Sequence, residues 1–204
     1  MKLIRIILTI SICATALIGD YIVFKSKYSE SLVFRAFADS TVHASIGFLS
    51  AVQFFSHEIG LTDQARLYNI AFCTIISSLI DVDHFIAARS FRLKDLTKVK
   101  ERGIFHCTSY WILLKTVLLI YSHITRRLDI YILTFMLTLA YTSHHVRDAN
   151  RRGLWLYPFG HTPPFSKYFY IFLLMILPSI FAYLYIVMKP AVHKQTVRYY
   201  DSIV

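Results

Sequence analysis

The stretch LDIYILTFMLTLAYTSHHVRD, residues 128–148, decides how the rest of this sequence is interpreted. Residues 128–146 form an apolar run close to the roughly 20 residues that a helix needs to cross a bilayer. The run ends in His144, His145 and Asp148. Ionisable side chains beside hydrocarbon are costly, so they normally have a partner or a function. The stretch therefore predicts a membrane helix with a functional site at one end.

Five further apolar runs lie along the chain, at 3–24, 42–56, 67–80, 104–124 and 168–188. Hydrophobic residues make up 56% of the 204 residues, and the mean hydropathy is +0.51, which is too apolar for an ordinary soluble domain. We find no internal repeat and no Gly-, Pro- or Ser-rich linker. The sequence thus predicts an all-α integral membrane protein, with about six transmembrane helices in one bundle that forms a single domain over 1–204. The first run continues past Cys13, which favours an uncleaved first helix.

Three more His/Asp clusters lie at the edges of apolar runs: Asp39-Ser-Thr-Val-His43, Asp81-Val-Asp-His84 and Arg102-Gly-Ile-Phe-His106. If six helices alternate in direction, the ends that carry these clusters and the cluster at 143–148 all face the same side of the membrane. Four clusters on one side indicate a single site.

The spacing within the clusters suits a metal site. Residues three or four apart share one helix face, as do Asp39 with His43, Asp81 with His84, and His144 with Asp148. Such a pair can bind an ion through both side chains, or its carboxylate can orient the imidazole. We predict five metal ligands, His43, Asp81, His84, His106 and His144. Asp83 and Asp148 are predicted to act as general base or to orient a ligand. The set suffices for one zinc-like ion or for two bridged ions.

The charge distribution bears on partners and orientation. The chain carries 22 Lys and Arg against 12 Asp and Glu. Because the basic residues are spread among loops without an aromatic-lined groove, we expect contact with the lipid bilayer and its anionic headgroups, and no nucleic-acid binding. In the six-helix topology the cluster side holds thirteen Lys and Arg and the other side holds eight. The positive-inside rule then places the site at the cytoplasmic face.

Several of these motifs together resemble a known family. They are Ile80-Asp-Val-Asp-His-Phe85, Phe105-His-Cys107, Thr142-Ser-His-His-Val-Arg-Asp148, Gly153-Leu-Trp155 and Pro158-Phe-Gly160. With the first cluster included, the sequence closely resembles the transmembrane protein 267 family over about residues 35–175. The resemblance implies a multi-pass membrane topology.

A more distant resemblance concerns mechanism. The order of an early His, an Asp-x-Asp-His, an Arg-Gly-x-x-His and a Ser-His-x-x-x-Asp is similar to bacterial membrane-bound metal-dependent hydrolases, including LexA-regulated members. It implies the same seven residues as ligands or catalytic groups. Two positions depart from that pattern, because Glu101 stands where a histidine is usual and Ile80 where a proline is usual.

Two functions are compatible with these features. The first is a membrane-embedded hydrolase in which zinc or manganese activates water toward a lipid-like ester or phosphoester, with an anionic lipid as the expected substrate. The alternative is a non-enzymatic membrane protein whose His/Asp pairs are structural interhelical contacts. The sequence has no Gly-x-Ser-x-Gly elbow and no Gly-rich nucleotide loop. We expect His57, His123, His161 and His193 to be ordinary surface residues and His145 to serve in packing.

Overall fold

The computed structural model describes residues 2–96 and 103–189, and these ranges are helical without a β-strand. The helices are α1 Lys2–Lys25, α2 Leu32–Phe55, α3 Asp63–Leu79, α4 Asp83–Ala88, α5 Leu93–Leu96, α6 Thr108–Thr125, α7 Leu128–Arg152 and α8 Lys167–Met188. Two 3-10 turns, Ile80–Val82 and Ile104–His106, adjoin α4 and α6. Glu101, Arg102 and His193 lie outside the described residues.

Three helical segments are long and apolar enough to cross a membrane: α1, the segment Asp63–Ala88 and α8. The predicted all-α class is therefore confirmed for the described residues, and three of the six predicted spans meet this test. Helices α2, α6 and α7 have 24, 18 and 25 residues, but their polar side chains keep them below the same threshold.

Two helices extend well beyond their apolar runs. Helix α2 begins at Leu32 instead of 42, with the Ser31 side chain accepting a hydrogen bond from the Phe34 amide at 3.4 Å. Helix α7 continues to Arg152. An apolar run in the sequence ends at the first polar residues. A helix continues through such residues when their side chains form hydrogen bonds or ion pairs. The first and last clusters consequently project from well-formed helix.

Helix α7 is the centre of the bundle and contacts α2, α3, α6 and α8. The first half of α7 packs Tyr131, Met136 and Leu139 into an apolar core with Phe54. Helices α2 and α3 approach closely at Gly47, where a Cβ atom would lie 2.1 Å from the Ser77 hydroxyl oxygen. Small residues at such crossings let membrane helices pack backbone against backbone.

The segment between α7 and α8 folds back beneath the start of α6. Gly153 ends α7 with a φ of 70°, a left-handed conformation that favours glycine. The Thr108 amide donates to the Trp155 carbonyl at 2.8 Å, and the Ser109 hydroxyl donates to the Tyr157 carbonyl at 2.7 Å. These bonds fix the turn that carries His106.

Candidate metal centre

The four predicted clusters converge on one buried group of side chains. At its middle, four residues each offer one ligand atom within 4.8 Å of the others: Asp81, His106, His144 and Asp148. We call this group the quartet. Asp81 comes from the 3-10 turn after α3, His106 from the turn before α6, and the other two from α7. His106 and His144 are 2% and 0% exposed.

Five of the six distances within the quartet are close to those of a four-ligand ion site. His106 Nε2 and His144 Nε2 are 3.2 Å apart. From Asp81 Oδ1 the two imidazole nitrogens lie 3.5 and 3.4 Å away, and from Asp148 Oδ2 they lie 3.5 and 3.7 Å away. Four ligands about 2.1 Å from a central ion are about 3.4 Å from one another. An ion at the centre would therefore meet its ligands with little rearrangement.

The hydrogen bonds of both imidazoles leave the Nε2 lone pairs directed inward. His144 Nδ1 donates to the Ser77 carbonyl at 2.8 Å, and His106 Nδ1 lies 2.9 Å from Asp83 Oδ1. A neutral imidazole that donates through Nδ1 has a lone pair on Nε2. Two such nitrogens 3.2 Å apart share a cation, either a proton on His106 that forms an N–H···N hydrogen bond or a metal ion. Carboxylate or carbonyl support behind each ligating histidine is the usual arrangement at protein metal sites.

The turn after α3 separates the roles of two neighbouring aspartates. Because α3 ends at Leu79 and a 3-10 turn follows, Asp81 faces the quartet while Asp83 opens α4 behind His106. Asp83 is 1% exposed and packs against Gly103. A Cβ atom at Gly103 would lie 2.4 Å from Asp83 Cγ, so a larger residue there would displace the carboxylate that orients His106.

His43 lies beside the quartet. Its Nε2 accepts a hydrogen bond from Arg147 Nη1 at 2.8 Å and lies 3.5 Å from Asp148 Oδ1. Its ring stacks on that of His144, with 3.8 Å between the centroids. With Asp39 and Asp81 it forms a second group with metal-ligand spacing. The guanidinium contact occupies the lone pair that would bind an ion in this group.

His84 faces a pocket that reaches the quartet. Its Nε2 lies 3.5 Å from Asp81 Oδ1, and its side chain is 33% exposed. The pocket has a volume of about 590 Å³ and is lined by Asp39, Asp81, His84, Asp148, three arginines and an apolar wall. We call it the site pocket. It gives the centre access from outside the bundle.

An ion network that the sequence motifs did not predict connects the site to the outer helices. The Arg147 guanidinium donates to Asp39 Oδ1 at 2.6 Å and to Asp20 Oδ1 at 3.3 Å. Asp20 also accepts a hydrogen bond from the Tyr170 hydroxyl. Arg151 donates to Asp148 Oδ1. One signal for this network was present, because Asp20 is a lone acidic residue in an apolar helix and therefore calls for a partner.

His145 supports the site from its neighbouring position on α7. Its Nε2 donates to the Phe105 carbonyl at 2.8 Å, and its Nδ1 then accepts from the Thr108 hydroxyl at 3.1 Å. It therefore fastens the His106 turn to α7.

The cluster carries more negative than positive charge. Two guanidinium groups, those of Arg147 and Arg151, contact a set of five carboxylates, those of Asp20, Asp39, Asp81, Asp83 and Asp148. Burial lowers the pKa of His106, but its contacts with Asp148, Asp81 and Asp83 outweigh this and raise it to about 11. The centre therefore attracts a cation, whether a proton or a metal ion.

Comparison with curated proteins finds vertebrate relatives named transmembrane protein 267. The Xenopus laevis protein is 36% identical over 147 residues, which are 72% of this chain and 66% of that protein. The Danio rerio protein is 33% identical over 168 residues, 82% of this chain and 74% of the relative. The Mus musculus protein is 32% identical over 151 residues, 74% of this chain and 68% of the relative. The chain thus spans about two thirds to three quarters of these relatives.

No protein-family profile matches the chain. No solved structure matches it either. The resemblance to bacterial metal-dependent hydrolases gains no support from these comparisons, whereas the resemblance to the vertebrate proteins is confirmed. Identity above 30% over more than two thirds of both sequences agrees with the three apolar helices of the fold. This chain is a membrane protein and belongs to the transmembrane protein 267 family.

Proposed function

We propose that this protein is a membrane-embedded, metal-dependent hydrolase that acts on a lipid-like ester or phosphoester. The observation that carries the proposal is the convergence of four possible ligand atoms within 4.8 Å of one another, including His106 Nε2 and His144 Nε2 at 3.2 Å. The other two atoms are carboxylate oxygens of Asp81 and Asp148, so an ion between the imidazoles would meet both.

In this proposal the quartet binds one zinc or manganese ion. A divalent ion held by these four side chains would need a further position for a water molecule, and it would then supply Lewis-acid chemistry and lower the pKa of that water to near neutrality. Asp83 holds the His106 ring in its ligating tautomer. His84 faces the site pocket next to Asp81 and accepts the proton of the attacking water. Asp148, first predicted as a base, is assigned here as a ligand because its Oδ2 lies with the quartet.

We further propose that α1, α2, α3, α6, α7 and α8 all cross the membrane, with the site at the cytoplasmic face. The helices have 17 to 25 residues, and α3 continues through the turn into α4. Central helices can be less apolar than outer ones because their neighbours cover them. The excess of Lys and Arg on the cluster side supports the orientation.

The proposal is tested by metal content. Protein purified in detergent is incubated with zinc or manganese, desalted and assayed by elemental analysis. We expect about one ion per chain in the wild type and far less in His144→Ala. The isosteric Asp81→Asn variant tests whether metal is lost without a change in side-chain shape that could unfold the protein. His57→Ala, which replaces a histidine outside the cluster, is the matched control. Equal and near-zero metal in the wild type and the quartet variants would overturn the proposal.

The Arg147 network favours the second candidate, a non-enzymatic protein whose polar residues hold the bundle together. The network links α1, α2, α7 and α8 through buried ion pairs and hydrogen bonds. A melt with and without a chelator separates the two functions, because only a protein with a bound ion loses stability to the chelator. A melting temperature that the chelator leaves unchanged favours the structural role.

A further inference from the structure

The site pocket joins three arginines to the carboxylates of the quartet, and this inference rests on the proposed function. Arg35 comes from α2, and Arg151 and Arg152 come from the end of α7. Among the residues that the structure describes, Arg35 and Arg152 have no ion-pair partner. Arg35 is half-buried and Arg152 is exposed. A half-buried arginine without a counter-ion favours an anionic ligand, and the guanidinium fork fits phosphate oxygens.

Arg151 places one guanidinium directly beside the quartet. Its Nη2 donates to Asp148 Oδ1 and lies 3.5 Å from Asp39 Oδ2. Its guanidinium carbon lies 4.7 Å from the centre of the Phe24 ring, which fixes it further. Since both carboxylate contacts run through Nη2, the guanidinium keeps donors on Nε and Nη1 for a ligand. A ligand bound next to Asp148 is within reach of this group.

The rest of the pocket wall is apolar and continues onto the outside of the bundle. Phe37, Leu79 and Val82 line the pocket and are also 73%, 48% and 43% exposed on the surface. Phe24, Leu32, Phe85 and Leu93 complete the apolar lining. The pocket therefore has a polar floor at the quartet and an apolar side between α2 and the segment after α3. A volume of about 590 Å³ falls in the range of small-molecule sites.

We propose that the substrate is a phosphate monoester of a lipid. Its phosphate lies between the quartet and the three arginines, and its hydrocarbon chain leaves along Phe37 and Val82 toward the bilayer. A phosphate dianion pairs with Arg35 and Arg152, whereas a carboxylic ester is neutral and leaves both guanidinium groups without a counter-ion. Charge complementarity thus selects the phosphoester from the two ester classes.

The reaction is hydrolysis of the phosphorus–oxygen ester bond. The water oxygen forms a bond to phosphorus, and one water proton moves to the His84 imidazole. The bond from phosphorus to the lipid oxygen breaks, and that oxygen takes a proton from the imidazolium. The products are inorganic phosphate and a lipid alcohol, with no oxidant or further reactant consumed.

The test measures binding and metal content in the same zinc-loaded, full-length samples. Dilauroyl phosphatidic acid is compared with dilauroyl phosphatidylcholine, dilauroylglycerol and inorganic phosphate, and binding is followed by calorimetry in detergent. We expect binding of phosphatidic acid above the other three probes. We expect the single variants Arg35→Gln and Arg152→Gln to weaken it about tenfold each, as for the loss of one charge-assisted hydrogen bond. Arg66→Gln, at the start of α3 and paired with Asp63, is the control that should bind as the wild type does.

The outcomes separate this inference from the proposed function. Equal binding of phosphatidic acid and phosphatidylcholine, or variants that bind like the control, would overturn the phosphomonoester while a retained ion still supports the hydrolase. Inorganic phosphate that binds as tightly as phosphatidic acid would overturn the lipid. Selective binding of phosphatidic acid by protein that holds no metal would support the phosphate site and overturn the hydrolase.

Discussion

Replacing Arg147 with methionine tests how far the bundle depends on its buried charge network. The Arg147 side chain is 1% exposed and donates to Asp39, Asp20 and His43. Removing one partner of a buried ion pair leaves an uncompensated charge, which typically costs about 3–5 kcal/mol. Asp39 would keep Arg151 at 3.5 Å, and Asp20 would keep the Tyr170 hydroxyl. We therefore expect the lower end, a loss of about 3 kcal/mol in the free energy of unfolding.

The assay is thermal unfolding in detergent, followed by circular dichroism. In a chain of this length 1 kcal/mol corresponds to roughly 2–4 °C, so the melting temperature should fall by roughly 6–12 °C. Arg152→Met, an exposed arginine on the same helix, should change stability by less than about 0.5 kcal/mol. Adding Asp39→Asn to Arg147→Met should recover part of the loss because it removes one unpaired charge. A loss below about 1 kcal/mol, or one equal to that of Arg152→Met, would refute the reasoning.

Three further perturbations address the site and the helix packing. Asp83→Asn should weaken zinc binding by about 10- to 100-fold because Asp83 orients His106, and competition with a chelating dye measures the affinity. An unchanged affinity would show that the contact between Asp83 and His106 has no part in metal binding. Gly47→Val should lower the free energy of unfolding by about 1–3 kcal/mol, because the valine Cβ would overlap the Ser77 side chain. A variant as stable as the wild type would mean that α2 and α3 move apart at this crossing without loss of stability. Chelation should lower the wild-type melting temperature and leave that of Asp81→Asn unchanged, and equal effects on both would place the ion elsewhere.

The composition of the site was largely predictable from the sequence, whereas its internal division was not. Helical spacing placed His144 and Asp148 on one face, and alternating topology placed all four clusters on one side; the structure brings them together. Which side chains point inward depends on the 3-10 turn after Leu79, which turns Asp81 and Asp83 in different directions. Periodicity alone does not predict that turn.

The position of His43 shows a second limit of sequence reasoning. Its spacing from Asp39 suggested a metal-binding pair, yet Arg147 lies between them and donates to both. Arg147 follows His144 by three residues on α7, so its reach toward α2 depends on how the two helices pack. Helix α2 begins before the apolar run at 42–56 and includes Asp39, whose carboxylate accepts a hydrogen bond from Arg147 of α7.

X-ray absorption at the zinc edge of purified, zinc-loaded protein tests the metal centre most directly. The quartet predicts a shell of two imidazole nitrogens and two carboxylate oxygens at about 2.0–2.2 Å, with a further oxygen from water and without sulfur. Asp148→Asn should change the oxygen part of that shell and leave the two imidazoles in place. A sulfur shell near about 2.3 Å, fewer than two imidazoles, or a spectrum identical to that of zinc in detergent buffer would contradict a metal ion held by Asp81, His106, His144 and Asp148.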